Sequence, residues 1–159
     1  MMLPRALSCK PIRRSGSSMT GVHTIPDDQL DPEYLLDVKD AEAFAGFHIL
    51  LPTKLFPGEA LSYFRVTSED LSRRVTIMYQ NNLAVSETIL PTDTLESILK
   101  ADPNVFQKVT VRGQPGLLWA EGGNSISITW FENGIEYIVY GIYDGQPVDV
   151  WLSLAESLK

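Results

Sequence analysis

The chain has 159 residues, a length typical of one domain, and 44% hydrophobic and 21% charged residues, which is ordinary for a globular protein. A single cysteine excludes a disulfide framework. That cysteine and two histidines are too few for a standard zinc site, so we predict neither a metal nor a cofactor. No run of about 18 apolar residues occurs, so we predict no membrane-spanning segment in this chain.

The net charge of −7 is unevenly distributed. Residues 1–19 contain four basic residues and no acidic one, so 9 basic and 20 acidic residues remain, a net charge of −11 for the rest. Because an acidic body repels a phosphate backbone, no nucleic-acid partner is expected. No apolar segment of about 7–15 residues follows the basic residues, so no secretory signal peptide is predicted.

Residues 1–36 are rich in Ser, Gly, Pro and charges, and show no sustained hydrophobic period. Turn signals occur at 26–28 and 31–32, and the acidic residues there lack the central glycine of a calcium loop. We therefore predict a disordered basic leader and acidic linker over 1–36, followed by a single α+β domain over 37–159.

The folded part is predicted to begin with a short helix. Asp37 is a suitable N-cap, and Gly46 suits the left-handed residue that ends a helix. The helix would bury Val38, Ala41 and Phe44.

Three strand predictions follow, over 47–52, 60–67 and 73–80. The last alternates cleanly and leads into a hairpin whose register depends on the loop length. A loop of three residues places Leu83 opposite Tyr79 and keeps the apolar side chains on one face, whereas a two-residue loop does not. We therefore predict the three-residue loop.

A second helix is predicted over 94–100, with Asp93 as its N-cap. Strands are predicted over 105–112 and 117–120, with a turn at 113–116 between them.

The hairpin over 125–143 is the clearest local signal, because Asn133-Gly134 is the preferred pair for a two-residue type I′ turn. This turn places Trp130 opposite Tyr137 on an apolar face that must be core. The other face is mixed, and its large apolar or aromatic members are Phe131, Ile138 and Tyr140.

The chain ends in a predicted helix with an apolar stripe of Val148, Trp151, Leu152, Ala155 and Leu158. Short connections between strands require antiparallel pairing. The order of elements therefore predicts an α+β fold, in which an antiparallel β-sheet has the N-terminal, inserted and C-terminal helices packed on one face.

No motif of a known catalytic class is present: neither a nucleophile elbow, nor a P-loop, nor a dinucleotide fingerprint after a strand. His48 lies in an apolar segment, where a single hydrogen bond is its expected role. A carboxylate close to His48 in space would be the first sign of an enzyme with a dispersed site. We predict no catalytic residue and no enzymatic activity.

The aromatic residues of the mixed face suggest an interaction surface. Its predicted members are Phe131, Ile138, Tyr140 and Tyr143. Two alternatives remain open: a helix covers these side chains, or they line an apolar groove for a protein partner or an apolar small ligand.

Several stretches, taken together, resemble a bacterial family of unknown function. They are 41–47 (AEAFAGF), 50–52 (LLP), 55–58 (LFPG), 128–130 (ITW), 133–137 (NGIEY) and 154–158 (LAESL). Members of this family commonly form the C-terminal, extracytoplasmic part of membrane-anchored proteins of Gram-positive and related bacteria, some with an anti-sigma-factor-like N-terminal region. The resemblance implies an extracytoplasmic sensor or interaction domain and carries over no active site.

The sequence thus predicts a non-enzymatic binding or sensory module of unknown ligand, with a regulatory role as one option. The alternative is a carrier of an apolar or lipid-like ligand held between the sheet and its helices. We expect a monomer or a weak homodimer.

Overall fold

The computed structural model describes residues 34–81, 83–121, 125–142 and 145–159. The helices there are α1 (Val38–Ala45), α2 (Leu95–Ala101) and α3 (Val148–Glu156). The strands are β1 (Tyr34–Leu35), β2 (Leu61–Glu69), β3 (Ser72–Tyr79), β4 (Leu83–Ile89), β5 (Gln107–Val111), β6 (Gln114–Glu121), β7 (Ser125–Glu132) and β8 (Ile135–Ile142).

All of these strands belong to one antiparallel sheet with the order β1-β2-β3-β4-β8-β7-β6-β5, so the predicted α+β class with an antiparallel sheet is confirmed. The β4–β8 pairing joins two meanders, and the connection between them contains α2. None of the helices in the described ranges has the length and hydropathy needed to cross a bilayer.

Regular structure begins earlier than the predicted domain start at residue 37. Tyr34 in β1 pairs with Arg65 in β2, and its ring meets that of Tyr63 edge-on at 5.1 Å between centroids. This cross-strand contact helps to hold β1 in the sheet, although its two residues are too few to show a hydrophobic period. The predicted disorder of residues 1–33 lies outside the described residues.

Helix α1 has the predicted caps. The Asp37 carboxylate accepts a hydrogen bond from the amide of Lys39 at 2.8 Å. Gly46 adopts φ +78°, and its amide donates to the carbonyl of Glu42 at 2.8 Å. A side chain at position 46 would be strained by this left-handed conformation, which explains the glycine.

The prediction of a sheet strand over 47–52 is wrong. These residues form an extended segment, here called the strap, that has no place in the strand order. Leu51 and Lys159 exchange two backbone hydrogen bonds of 2.9 and 3.0 Å, and the amide of Leu50 donates to the carboxylate of Glu87. Because the backbone of Lys159 and the carboxylate of Glu87 form hydrogen bonds with the backbone of the strap, it needs no neighbouring sheet strand.

The predicted registers of both central hairpins are confirmed. Ile77 lies opposite Val85, as the three-residue loop requires, although residue 82 itself is outside the described residues. Trp130 lies opposite Tyr137, and their rings stack at 5.2 Å between centroids. Turn geometry and the apolar pattern therefore agree in the centre of the sheet.

The predicted turn at 113–116 is wrong. The connection consists of Arg112 and Gly113, both with positive φ, and β6 begins immediately after them. Gly116 lies within the strand, where an added Cβ would be 3.0 Å from the carbonyl oxygen of Thr129. This glycine therefore permits a close backbone approach and does not make a turn.

The N-cap of α2 is Thr94, not the predicted Asp93. The Thr94 hydroxyl accepts from the amide of Ser97 at 3.1 Å, and the Ser97 hydroxyl accepts from the amide of Thr94 at 2.9 Å. This reciprocal pair is a capping box in which serine takes the place usually held by Glu or Gln.

Helices α1 and α3 and the strap cover one face of the sheet, here called the core face. Trp151 of α3 is buried and meets Phe56 edge-on at 4.6 Å between ring centroids. All three helices were predicted to pack on one face of the sheet. Helix α2 differs, because none of its residues belongs to the core and it contacts β7. The core includes Phe64, Val66, Val75, Ile77, Val85, Ile128, Trp130, Val139, Trp151, Leu154, Ala155 and Leu158.

Arg112 joins three parts of the fold. Its Nε donates to the Glu132 carboxylate at 2.8 Å, its amide donates to Glu156 at 2.7 Å, and its guanidinium also reaches the Leu158 carbonyl. The hydrogen-bonded guanidinium lowers the pKa of Glu132. The β5–β6 turn, the end of β7 and the end of α3 are thereby held together.

We expect Arg112→Ala to lower the free energy of unfolding by about 2–3 kcal/mol, because it leaves half-buried acceptors unpaired. Urea denaturation measures the change. Lys108→Ala on the exposed side of β5 is the control and should change stability by no more than about 0.5 kcal/mol. Equal changes in the two variants would contradict the role given to Arg112.

Candidate functional site

The face of the sheet opposite the core is here called the second face, and the residues that the structure describes cover it at one end only. Thr129 on β7 and Leu117 on β6 point to this face and are nevertheless buried. Helix α2 contacts β7 and has no place in the core, so we assign the cover at this end to α2 and its flanking loops. At the other end, Tyr140 is 37% and Ile142 is 52% exposed.

At the uncovered end the second face contains a groove of about 510 Å³. The sheet register places one row of side chains across it, in which large and small residues alternate. The large side chains on β6, β8 and β3 form the walls, and the small side chains on β7 and β4 form the floor between them. The row is Trp119, Ser127, Tyr140, Ala84 and Met78, and Ile142 continues the wall along β8.

The groove is mainly apolar. Among the described residues, none of the side chains that line it is Asp, Glu, Lys, Arg or His. The polar side-chain groups of these residues are the amide of Asn81, the hydroxyls of Ser125 and Ser127, the indole N–H of Trp119, and the phenols of Tyr79 and Tyr140. Burial raises the pKa of Tyr140, so this phenol stays neutral at physiological pH.

The predicted interaction surface is only partly assembled. Tyr140 lines the groove. Phe131 and Ile138 lie on the same face, where their cross-strand partners are Glu136 and Thr129 respectively. Both are half-buried and do not line the groove. Tyr143 lies outside the described residues. Tyr140 therefore lies in a groove, whereas Phe131 and Ile138 are partly covered, and an interaction at this surface stays a prediction.

Three important groove residues, Trp119, Met78 and Ile142, were not identified from the sequence. A signal for Trp119 was present: Leu118 lies opposite Ile128 and is core, so its neighbour must point to the second face. Nothing in the local sequence brings Met78 close to Trp119, because three strands separate their positions in the sheet.

A buried acid, Glu87, was also not identified from the sequence. Glu87 is 0% exposed on the core face, between Val75 and Tyr137 on the neighbouring strands. Its two carboxylate oxygens lie 3.0 and 3.3 Å from the Leu50 amide nitrogen. Burial raises the pKa of Glu87 to about 8. The alternation that makes Val85 a core residue also assigns Glu87 to the core.

A second carboxylate lies beside His48. The Nδ1 atom of His48 is 2.5 Å from Oε1 of Glu42, and the same oxygen accepts the amide of Ile49 at 3.0 Å. This is the arrangement named above as the first sign of an enzyme. The imidazole side chain is 78% exposed, however, and neither residue lines the groove.

Among the described residues, no group of three or more His, Cys, Asp or Glu side chains is placed to hold a metal ion. Protein-family models, curated proteins and solved structures were compared with the chain, and none of them matches it.

We expect the stability of the wild type to fall as the pH rises from about 4.5 to about 8, because in this window the folded state holds a proton on Glu87 that the unfolded state has lost. Glu87→Gln should weaken this dependence and raise the free energy of unfolding above pH 8 by on the order of 4 kcal/mol.

Urea denaturation at about pH 5 and about pH 9 tests this expectation. Glu96→Gln, on the exposed side of α2, is the matched control and should keep the wild-type difference between the two pH values. The same difference in Glu87→Gln would show that this carboxyl group does not carry the effect.

Proposed function

We propose that the protein is a non-enzymatic binding module that holds a small, largely apolar ligand in the groove of the second face. The observation that carries this proposal is an apolar concavity of about 510 Å³ that the described residues leave open. Ligand sites in proteins are typically concave, mostly apolar and about 300–1,000 Å³ in volume, with a few polar groups that orient the ligand.

The exposed apolar side chains support a ligand at this position. Tyr140 and Ile142 lie next to each other along one strand face, and Trp119 stands across β7 from them. Removing such a surface from water is favourable by about 25 cal/mol per Å². An apolar occupant would therefore gain binding energy without displacing the cover of the core.

The carrier alternative predicted from the sequence places the ligand between the sheet and its helices, whereas the groove lies on the second face. A ligand between the sheet and its helices would have to displace Trp130 and Trp151, which are fully buried there. Close-packed interiors resist such insertion. The second face offers space without that cost.

A sensory role is supported by the position of Ile142. Its side chain lines both the groove and a neighbouring cleft of about 200 Å³, whose lining includes Trp151 of α3 and Phe56. An occupant of the groove would therefore touch a residue that also borders the C-terminal helix. Coupling of this kind would give ligand binding a route to the other face of the sheet.

The pair of His48 and Glu42 is the observation that favours a catalytic role instead. We prefer binding because Glu42 already accepts the amide of Ile49 and the exposed pair lies outside the groove. In a broad hydrolase screen we expect no turnover that depends on His48. Reproducible turnover that His48→Ala abolishes would replace the binding proposal with a catalytic one.

We expect Ile142→Glu to abolish ligand retention, because a carboxylate in an apolar groove is costly to desolvate. Native mass spectrometry of the full chain, after incubation with an organic extract of the expression host, detects the bound mass. Leu71→Glu is the matched control, since Leu71 is 81% exposed in the β2–β3 turn and lies outside the groove.

The wild type and Leu71→Glu should carry an added mass that is lost on denaturation, and Ile142→Glu should not. A wild type without added mass, or equal retention in all three proteins, would contradict a ligand site in the groove.

A further inference from the structure

We propose that the groove selects a neutral, flat ring system, which stands above β7 between Trp119 and Tyr140. This inference rests on the proposed function and names the ligand class of the same site. The register of three strands and the uncharged side chains of the described lining support it.

The register of the three strands forms a slot. Trp119, Ser127 and Tyr140 lie opposite one another on β6, β7 and β8. Because adjacent strands are about 4.8 Å apart, the two aromatic residues stand on backbones about 10 Å apart. Aromatic pairs prefer ring centroids about 4.5–7 Å apart. One ring above Ser127 would thus lie at a favourable distance from both walls.

The lining selects against charge. An ionised group placed between Trp119, Tyr140 and Ile142 would lose its hydration, and none of the described residues that line the groove has a charge to compensate it. Arg65 and Arg74, which act electrostatically on Tyr140, do not belong to this lining. The hydroxyls of Ser125 and Ser127 on the floor can each donate and accept a hydrogen bond. They suit a hydroxyl, carbonyl or ring nitrogen at the inner edge of the ligand.

The test compares four probes with the full wild-type chain near pH 7, by isothermal titration calorimetry. They are 2-naphthol, 2-naphthoate, 1-decanol and decanoate, which separate flatness from charge. We expect 2-naphthol to bind about tenfold more tightly than 1-decanol, because it contacts two aromatic walls. We also expect 2-naphthol to bind at least about tenfold more tightly than 2-naphthoate, because the carboxylate must be desolvated.

Two variants locate the binding site. Trp119→Leu keeps an apolar wall but removes its ring, so it should weaken 2-naphthol binding about fivefold and leave 1-decanol binding unchanged. Tyr63→Leu is the control, because it removes an aromatic ring from β2, outside the groove, and should alter neither. Thermal denaturation followed by circular dichroism confirms that both variants are folded.

The outcomes separate this inference from the proposed function. If 1-decanol or decanoate binds most tightly and Ile142→Glu abolishes that binding, the groove is a ligand site but the inferred class is wrong. If no probe binds and the chain dimerises in a way that Ile142→Glu prevents, a second copy occupies the second face and both proposals fall. The inference stands only if 2-naphthol leads and depends on Trp119.

Discussion

A single sheet has two faces, and the organisation of the described residues follows from how few of them lie outside the sheet and can cover it. Two helices and the strap are placed on the core face, where Trp130 and Trp151 are fully buried. Of the described residues, α2 and its flanking loops are assigned to the second face. Because a helix of seven residues is about 10 Å long, it covers only one end of an eight-stranded sheet. The groove lies at the other end, which the described residues leave open.

The cover of the core face itself depends on carboxylates. Glu42 and Glu87 accept hydrogen bonds from the amides of Ile49 and Leu50. These side chains, together with the backbone of Lys159, hold the strap in place without a neighbouring sheet strand. A buried acid with a pKa raised to about 8 costs stability when it ionises, and burial among apolar residues is the cause. The fold therefore combines an apolar groove on a mixed second face with a buried acid on the core face, whose ionisation is expected to lower stability as the pH rises from about 4.5 to about 8.

Sequence patterns determined the parts of the fold in which local and global preferences agree. Asn133-Gly134 set the register of β7 and β8, and alternation set that of β3 and β4. The predictions failed where a distant group satisfied the backbone, as in the strap, or where two turns were locally acceptable, as at Arg112-Gly113. For the candidate site, the sequence identified the mixed face and Tyr140. It could not show which end of that face α2 covers.

The sequence by itself determined which side chains point to each face, because a strand alternates with a period of two and the hairpin turns fix the pairing. This was sufficient to predict an antiparallel α+β domain and a mixed second face. Only the tertiary structure decided that β4 pairs with β8 and thereby brings Met78, Tyr140 and Trp119 into one row. It also decided the burial of Glu87 beneath the strap. The physical reason is that both depend on contacts between residues far apart in the chain, and no local period encodes such contacts.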